Sequence, residues 1–347
     1  MIFEFRFLSL LFLASTSFSC AAENLTYATV PDVGNSEKNS PASIVESRSC
    51  FTGPFESYES WISGFAESNS EFDRKRFEKR IPKQYFERAK LELNCQRFLY
   101  DVDGVTVEGY LVHPKSFRGR LPVVIYNRGG NGSHARIKFG SLFSHVFPLA
   151  ESGNFVIASQ YRGSGFRRKG LDTGEDEFGG KDVDDVLALF DLIDGSPVAD
   201  ASRIGMFGWS RGAIMSFLVA SRTDRVAAIA VGGAPTNILK EVAVRPEMER
   251  VFEARIPNYA ADREAALKSR SVMFWAEKLP RSTPILILHG QLDANVTVNS
   301  ALDLAAELQL REIPYRLVIY ENGTHALFEY KQPVNTELLN WFEEKLD

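Results

Sequence analysis

The sequence predicts an α/β protein built on a mostly parallel, doubly wound sheet. Three observations support this class. After residue 122, short apolar runs alternate with amphipathic helical segments. A G-x-S-x-G motif at residues 208–212 joins one apolar run to a helical segment. An aspartate and a histidine follow two later apolar runs. Repeated strand–helix units favour a parallel sheet covered by helices on both faces.

Composition narrows the class of protein further. The chain has 347 residues, of which 44% are hydrophobic and 24% charged, and its net charge is −5. This composition is ordinary for a globular enzyme with one large core. No basic cluster resembles a surface that follows phosphates, which argues against nucleic-acid binding. No cysteine and histidine cluster has metal-ligand spacing, so neither a metal site nor a cofactor is implied. The oligomeric state stays open.

The N-terminus has the pattern of an export signal, which we place at residues 1–22. Arg6 precedes a short apolar run at residues 7–14, and small polar residues follow. Two interpretations remain open: Cys20 accepts a lipid that anchors the chain to a membrane, or ordinary cleavage follows Ala21 or Ala22. Both predict an exported protein, periplasmic or extracellular. Residues 23–49 are rich in polar residues without a period, so we expect a flexible tether there.

Residues 50–95 are expected to form an N-terminal helical extension. Aromatic and charged residues recur there at helical spacing, and Pro82 breaks or starts a helix, so two or three short helices are predicted. If Cys20 leaves with the signal or carries lipid, Cys50 and Cys95 remain as a pair. In an exported protein such a pair predicts a disulfide, here one that fastens this extension to the first strands.

The catalytic domain is expected over residues 96–347, starting with a hairpin at 96–114 that turns at 101–104. Strands are predicted at 123–126, 155–158, 204–207, 226–231, 285–288 and 315–320. Helices are predicted at 137–151, 182–193, 213–219, 298–310 and 334–346. Residues 236–282 interrupt the alternation as a charged helical insertion over the carboxyl edge. Two interpretations of this insertion are open: it is a partial lid lining the substrate pocket, or its helices pack on the side of the sheet.

The serine of the 208–212 motif is a candidate nucleophile. A serine on a sharp strand-to-helix turn holds its hydroxyl away from the backbone, and small flanking residues let the turn close. A free serine hydroxyl is a weak nucleophile, so Ser210 needs a base and an acid nearby. The motif alone is weak evidence, because glycine and serine are also common in ordinary turns.

The acid and the base follow Ser210 in the chain. Asp293 comes just after the strand at 285–288, and His325 follows the strand at 315–320. The carboxyl ends of parallel strands meet at one edge, so these residues can share a cleft. His289 also follows a strand, but it precedes the acid. The order Ser210, Asp293, His325 is that of α/β-hydrolases, although each residue alone is also compatible with an ordinary loop or cap.

From about residue 97 onward, the chain resembles the catalytic domain of the prolyl oligopeptidase family and its dienelactone-hydrolase-like relatives. The matching segments are 126–131, 161–165, 180–185, 203–212, 289–293 and 323–325. The resemblance implies the same roles for nucleophile, acid and base. The chain departs from the family pattern at Arg128 and Asn131, where members usually have His or Tyr before two glycines and Pro after them.

The expected oxyanion hole combines the backbone N–H of Arg211 with that of Gly130 or Gly129. Two interpretations of Arg128 are open: it binds a substrate carboxylate, or it forms a surface salt bridge. The predicted function is a serine peptidase that cleaves short peptides by acyl-enzyme chemistry. An ester hydrolase of small substrates and a non-catalytic binding protein on the same fold remain as alternatives.

Overall fold

The computed structural model describes residues 42–166 and 168–347, within which nine strands form one mixed sheet. The expected signal peptide, Cys20 and most of the expected tether lie outside the described residues. The strands β1 to β9 are, in order, Ile44–Ser49, Leu93–Val102, Val105–Pro114, Leu121–Asn127, Phe155–Ser159, Ala199–Trp209, Val226–Gly232, Ile285–Gly290 and Tyr315–Tyr320.

Thirteen α-helices accompany the sheet in the described part of the chain. The helices α1 to α13 are, in order, Tyr58–Ser68, Arg74–Arg80, Lys83–Glu92, Phe139–Leu142, Val146–Glu151, Asp182–Leu187, Leu189–Asp194, Arg211–Ala220, Ile238–Val244, Met248–Arg255, Arg263–Lys268, Val298–Leu310 and Lys331–Leu346. Four 3₁₀ turns lie at Gly53–Phe55, Val272–Phe274, Ala276–Lys278 and Phe328–Tyr330.

The sheet order is β1-β2-β3-β5-β4-β6-β7-β8-β9. Strands β1, β2, β3 and β5 pair antiparallel, whereas β5, β4, β6, β7, β8 and β9 are parallel. The central strands are apolar on both faces because helices cover both: β5 and β8 are buried along their whole length. One core lies under α6, α7, α8 and α12, and the other under α1, α3, α5 and α13. The predicted fold class is thereby confirmed.

The N-terminal extension is helical and is joined to the sheet by a disulfide, as expected. Cys50 and Cys95 are bridged, with their Cα atoms 5.4 Å apart. The tether prediction is wrong at its end, because residues 44–49 form β1, paired antiparallel with β2. Every side chain of β1 is exposed. An edge strand held by backbone hydrogen bonds needs no buried face, so it leaves no apolar period in the sequence.

The predicted hairpin and insertion are both present. Strands β2 and β3 are joined by Asp103 and Gly104, with φ angles of 52° and 80°, the left-handed pair that a tight hairpin turn requires. The insertion over residues 236–282 holds α9, α10 and α11. The helix predicted at 182–193 is divided at Ala188 into α6 and α7. Within the described ranges, no helix combines the length and apolarity needed to cross a bilayer.

Candidate active site

Ser210 lies on a strained turn between β6 and α8. Its φ and ψ are 55° and −124°, outside the regions that L-residues ordinarily occupy. Its backbone N–H donates to Gly232 O at 2.7 Å, which ties the turn to the end of β7. At Gly212 a side chain is impossible, since a Cβ atom would lie 1.9 Å from Asn127 O. The motif therefore permits α8 to start directly against the end of β4.

Asp293 and His325 form a hydrogen-bonded pair on the loops after β8 and β9. His325 Nδ1 lies 2.7 Å from Asp293 Oδ2, and the Asp293 side chain is fully buried. The other carboxylate oxygen, Oδ1, accepts from the N–H groups of Asn295 and Val296 at 2.8 and 2.9 Å. Burial alone would raise the pKa of Asp293, but the pairing with His325 and these backbone donors hold that pKa below its ordinary value.

Contacts between loops bring this pair to the serine. Gly233 follows the residue that accepts from Ser210 N, and a Cβ atom on Gly233 would lie 2.9 Å from His325 Cε1. On the other side, Trp209 Nε1 donates to His325 O at 3.0 Å. Ser210 and His325 line the same cavity. Among the described residues, the Ser210 hydroxyl makes no hydrogen bond, so it is not hydrogen-bonded to the His325 imidazole.

His289 supports the acid loop. Its ring is fully buried, and Nε2 lies 2.9 Å from Val296 O and 3.4 Å from Asp293 Oδ2. Because Nε2 faces a carbonyl, it carries the proton, and Nδ1 is left without a partner in the described part of the chain. Burial lowers the pKa of His289, which keeps the ring neutral. His325 lines the cavity at Ser210, whereas His289 is not among its lining residues.

The loop expected to supply the second oxyanion donor lies against the serine turn. A Cβ atom on Gly129 would lie 3.0 Å from Trp209 O and 3.3 Å from Ser210 Cβ. Gly130 has a φ of 69°. Both glycines line the cavity together with Ser210. The loop with Gly129 and Gly130 therefore lies beside Ser210, and its role as an oxyanion hole stays a prediction.

Arg128 differs from both expectations, because it is buried and faces the interior. It is 1% exposed, and its guanidinium donates only to backbone carbonyls. The acceptors are the carbonyl oxygens of Gly129, Gly132, His134 and Gln160, at 2.7 to 3.3 Å. These bonds occupy the donors that a substrate carboxylate would need. Arg128 thus shapes the loop over residues 129–134 and is neither a substrate ligand nor a surface ion pair.

The side chain of Arg211 was not anticipated, since only its backbone N–H was considered. Its guanidinium donates to Asp176 Oδ2 at 2.6 Å, to Gly130 O at 3.0 Å and, through a short contact, to Asp182. The arginine side chain is 2% exposed and both carboxylates are fully buried. Asp176 Oδ2 also accepts from Gly132 N at 2.6 Å. A buried ionic cluster thus connects the residue after the serine to the neighbouring loop.

The cavity at the serine has a volume of about 480 Å³. One side is formed by the helical insertion, which contributes Ile238, Glu241, Val242 and Phe252. The insertion therefore lines this cavity, and its action as a partial lid stays a prediction. The opposite side includes His145, whose ring stacks on Trp209 at 5.6 Å between centroids. Within the described ranges, no group of three acidic, histidine or cysteine side chains is arranged to hold a metal ion.

The residues that sequence reasoning missed share one property: their partners are distant in the chain. Arg211 and Asp176 are 35 residues apart, and Trp209 and His325 are 116 apart. A signal existed for Asp182, because the segment 180–185 belongs to the family resemblance. No signal in one sequence pairs that segment with Arg211. Glu241 carried no signal beyond its place in the insertion.

Comparison with known proteins identifies relatives for most of the chain. It is 27% identical over 250 residues to dipeptidyl-peptidase 5 of Porphyromonas gingivalis, covering 71% of this chain and 36% of that protein. It is 26% identical over 246 residues to the uncharacterized peptidase YtmA of Bacillus subtilis, covering 71% and 91%. The chain thus spans about a third of the first relative and nearly all of the second.

The fold is shared with solved peptidase structures. The acylaminoacyl peptidase of Pyrococcus horikoshii superposes with a TM-score of 0.63 at 19% identity, over 75% of this chain and 43% of that one. The sequence profile of the prolyl oligopeptidase family matches residues 141–347. Since that match covers more than half of the 347 residues, the chain belongs to the prolyl oligopeptidase family.

Proposed function

We propose that the chain is a serine peptidase that cleaves short peptides through an acyl-enzyme on Ser210. The observation that carries this proposal is the hydrogen bond of 2.7 Å between His325 Nδ1 and Asp293 Oδ2, beside a serine on a strained turn. The relatives support the substrate class, because their names denote peptidases. The cavity of about 480 Å³ suits a few substrate groups.

The Asp293–His325 pair sets the imidazole up as a base. The lowered pKa of Asp293 keeps its carboxylate ionised, so it can only accept hydrogen bonds. The neutral His325 ring therefore carries its proton on Nδ1, and the lone pair is on Nε2. Nε2 takes the proton of Ser210 as the hydroxyl attacks the carbonyl, and then returns it to the leaving amine. A water molecule, deprotonated by His325 in the same way, then attacks the acyl-enzyme and releases the acyl group.

The attack begins when the Ser210 hydroxyl forms a hydrogen bond to His325 Nε2. The Ser210 hydroxyl and His325 share the cavity, and catalytic hydrogen bonds often tighten only when substrate is bound. The tetrahedral oxyanion is stabilised by the backbone N–H of Arg211, at the start of α8, and by an N–H of Gly130 or Gly129. Asp293 stays ionised throughout and stabilises the imidazolium.

The test is turnover and labelling by the purified protein. Wild-type protein is expected to react with a fluorophosphonate at Ser210 and to hydrolyse aminoacyl amides faster than matched acyl esters of the same acyl group, relative to their uncatalysed rates. Ser210→Ala should lower kcat by about 10⁶-fold, as in other triad knockouts, and His325→Ala should be comparable. Ser221→Ala is the matched control, because that hydroxyl bonds Leu218 O at 2.8 Å at the far end of α8.

Three outcomes would contradict the proposal in different ways. No fluorophosphonate adduct at Ser210 would favour a binding protein on the same fold. Turnover of esters without turnover of amides would favour the ester hydrolase. Retention of more than a few per cent of activity by Ser210→Ala would remove the nucleophile assignment itself.

A further inference from the structure

One wall of the cavity at Ser210 is apolar and belongs largely to the insertion. The side chains of Ile238, Val242 and Phe252 line it, and each is less than 8% exposed. Phe178 adds to this wall and packs edge-on against Phe252, with ring centroids 5.0 Å apart. Such a wall accommodates an aliphatic or aromatic substrate group of the kind that gains free energy by leaving water.

A carboxylate interrupts this apolar wall. Glu241 lies on α9 between Ile238 and Val242, lines the same cavity and is 8% exposed. It accepts a hydrogen bond from Ser300 Oγ at 2.5 Å, and longer ones of 3.4 Å from Thr297 N and Oγ1. All three donors are neutral.

Glu241 has no cationic partner among the described residues. The nearest arginine along the chain is Arg245, one turn later, but its Nε lies 3.0 Å from Glu247 and its guanidinium donates to Asn295 O at 3.1 Å. Oε2 of Glu241 accepts a single bond, from Thr297 N at 3.4 Å. A carboxylate oxygen has room for further donors, so Glu241 can accept another hydrogen bond from the cavity.

An unpaired buried anion is energetically costly, and a cation beside it reduces that cost. Burial raises the pKa of Glu241, and the hydrogen bonds from Ser300 and Thr297 only partly oppose this. A ligand cation that enters the cavity would stabilise the ionised form of Glu241. Lysine and arginine side chains combine such a cation with an aliphatic stem that packs well on apolar surface.

We propose that this cavity binds a lysine or arginine side chain of the residue that supplies the scissile carbonyl, with its cationic end at Glu241. The inference rests on the proposed peptidase function and deepens it by naming a substrate class. The aliphatic stem lies along Ile238, Val242 and Phe252. The ammonium or guanidinium donates to Glu241 Oε2, the oxygen that has a single long bond.

The first test compares lysine with norleucine, which has the same aliphatic stem without the charge. Aminomethylcoumarin amides of the two residues are hydrolysed by wild-type protein and by Glu241→Gln. Wild-type kcat/KM should favour lysine by about 10- to 100-fold, the range of one charge-assisted hydrogen bond. Glu241→Gln preserves the shape and should lose this preference, because its kcat/KM should fall much more for lysine than for norleucine. Glu247→Gln, an acid 65% exposed outside the cavity, should keep the wild-type ratio.

The second test separates this inference from the hydrolase assignment. Equilibrium binding of N-acetyl-lysine amide and N-acetyl-norleucine amide is measured with Ser210→Ala protein, with and without Glu241→Gln. If the wild-type protein shows no turnover but Ser210→Ala protein still binds the lysine amide more tightly than the norleucine amide, only the hydrolase proposal is refuted. Equal binding of both amides, a preference for norleucine, or an equal loss for both substrates in Glu241→Gln would overturn the assignment of Glu241. The last result would mean that Glu241 only stabilises the start of α12.

Discussion

Replacing Arg211 by methionine removes the cation from a buried ionic cluster and leaves the fold around it otherwise unchanged. Its guanidinium lies 2.6 Å from Asp176, contacts Asp182 and bonds Gly130 O at 3.0 Å. Methionine is unbranched and fills irregular space, so the change is mainly one of charge. The two carboxylates, both fully buried, would be left without their counter-ion.

The expected loss of stability is large. Removing one partner of a buried ion pair costs about 3–5 kcal/mol, because the remaining charge is desolvated and unpaired. One arginine serves two carboxylates here, so we expect the loss to reach at least the upper part of that range unless one carboxylate is protonated. Because the free energy of unfolding of a protein is about 5–15 kcal/mol in total, this loss is a substantial fraction of it. The matched control is Arg222→Met, in the turn just after the same helix: its partner is Asp184 at 3.1 Å, and both side chains are about 30% exposed. An exposed pair contributes about 0–1 kcal/mol.

The assay is urea unfolding of both variants, followed by kcat per fluorophosphonate-titrated site. If Arg211→Met does not fold, Arg211→Lys replaces it: a lysine keeps one charge but cannot reproduce the planar fork, so we expect an intermediate loss. We also expect kcat to fall by about 10²- to 10³-fold, the effect of losing one oxyanion donor, because Gly130 loses its brace. A free energy of unfolding for Arg211→Met within 1 kcal/mol of that for Arg222→Met would refute the reasoning.

Two further predictions concern residues beside the pair of His325 and Asp293. Burial lowers the pKa of His145 to about 4, below its ordinary value near 6.5. As the pH falls from about 6.5 through about 4, the unfolded chain binds this proton before the folded protein does, so the free energy of unfolding falls. In thermal unfolding across this range, the free energy of unfolding of the wild-type protein should fall by about 3 kcal/mol more than that of His145→Phe, which keeps the stacking on Trp209; parallel curves would contradict this. Gly233→Ala should lower kcat by about 10²-fold with little unfolding, since its Cβ would lie 2.9 Å from the His325 ring at a φ of 52°. Gly195→Ala, whose nearest contact is 3.5 Å, should leave kcat unchanged; equal effects would mean that the clash is relieved elsewhere.

The parts of the fold that the sequence predicted best are those with a local period. The strand at residues 315–320 and the helix at 298–310 match β9 and α12 residue for residue. The helix repeats its apolar positions at helical spacing, whereas the strand is an apolar run interrupted only by Arg316. Both patterns depend on neighbours along the chain alone. The order of serine, acid and base was also readable, because each follows an apolar strand. The strand β1 was not, because it is held only by backbone pairing to β2.

The chemistry of the site was harder to predict than its position. Two roles were open for Arg128, a ligand of a substrate carboxylate or a partner in a surface salt bridge, yet its guanidinium turns inward to Gln160 O, 32 residues away. A sequence shows which residue types are available, but not the direction of a side chain. That direction depends on which carbonyls are left unbonded after the backbone has folded. The contacts of the Arg211 side chain were missed for the same reason.

These two arginines hold carbonyl groups of the glycine loop from its buried side. Their guanidinium groups both lie over the Tyr161 ring, 4.9 and 5.1 Å from its centroid. Arg128 holds Gly129 O at 2.9 Å. A trans peptide is planar, with its C=O and N–H pointing in opposite directions, so an inward carbonyl at Gly129 directs the N–H of Gly130 away from Arg128. A donor fixed in this way needs no reorganisation when the oxyanion forms. The carbonyl of Arg128 is held in the same way by the Tyr161 hydroxyl at 3.1 Å, which directs the N–H of Gly129 away from Tyr161, so both glycines keep a fixed donor. Arg128, which stands where the family usually has histidine or tyrosine, braces this loop from its buried side.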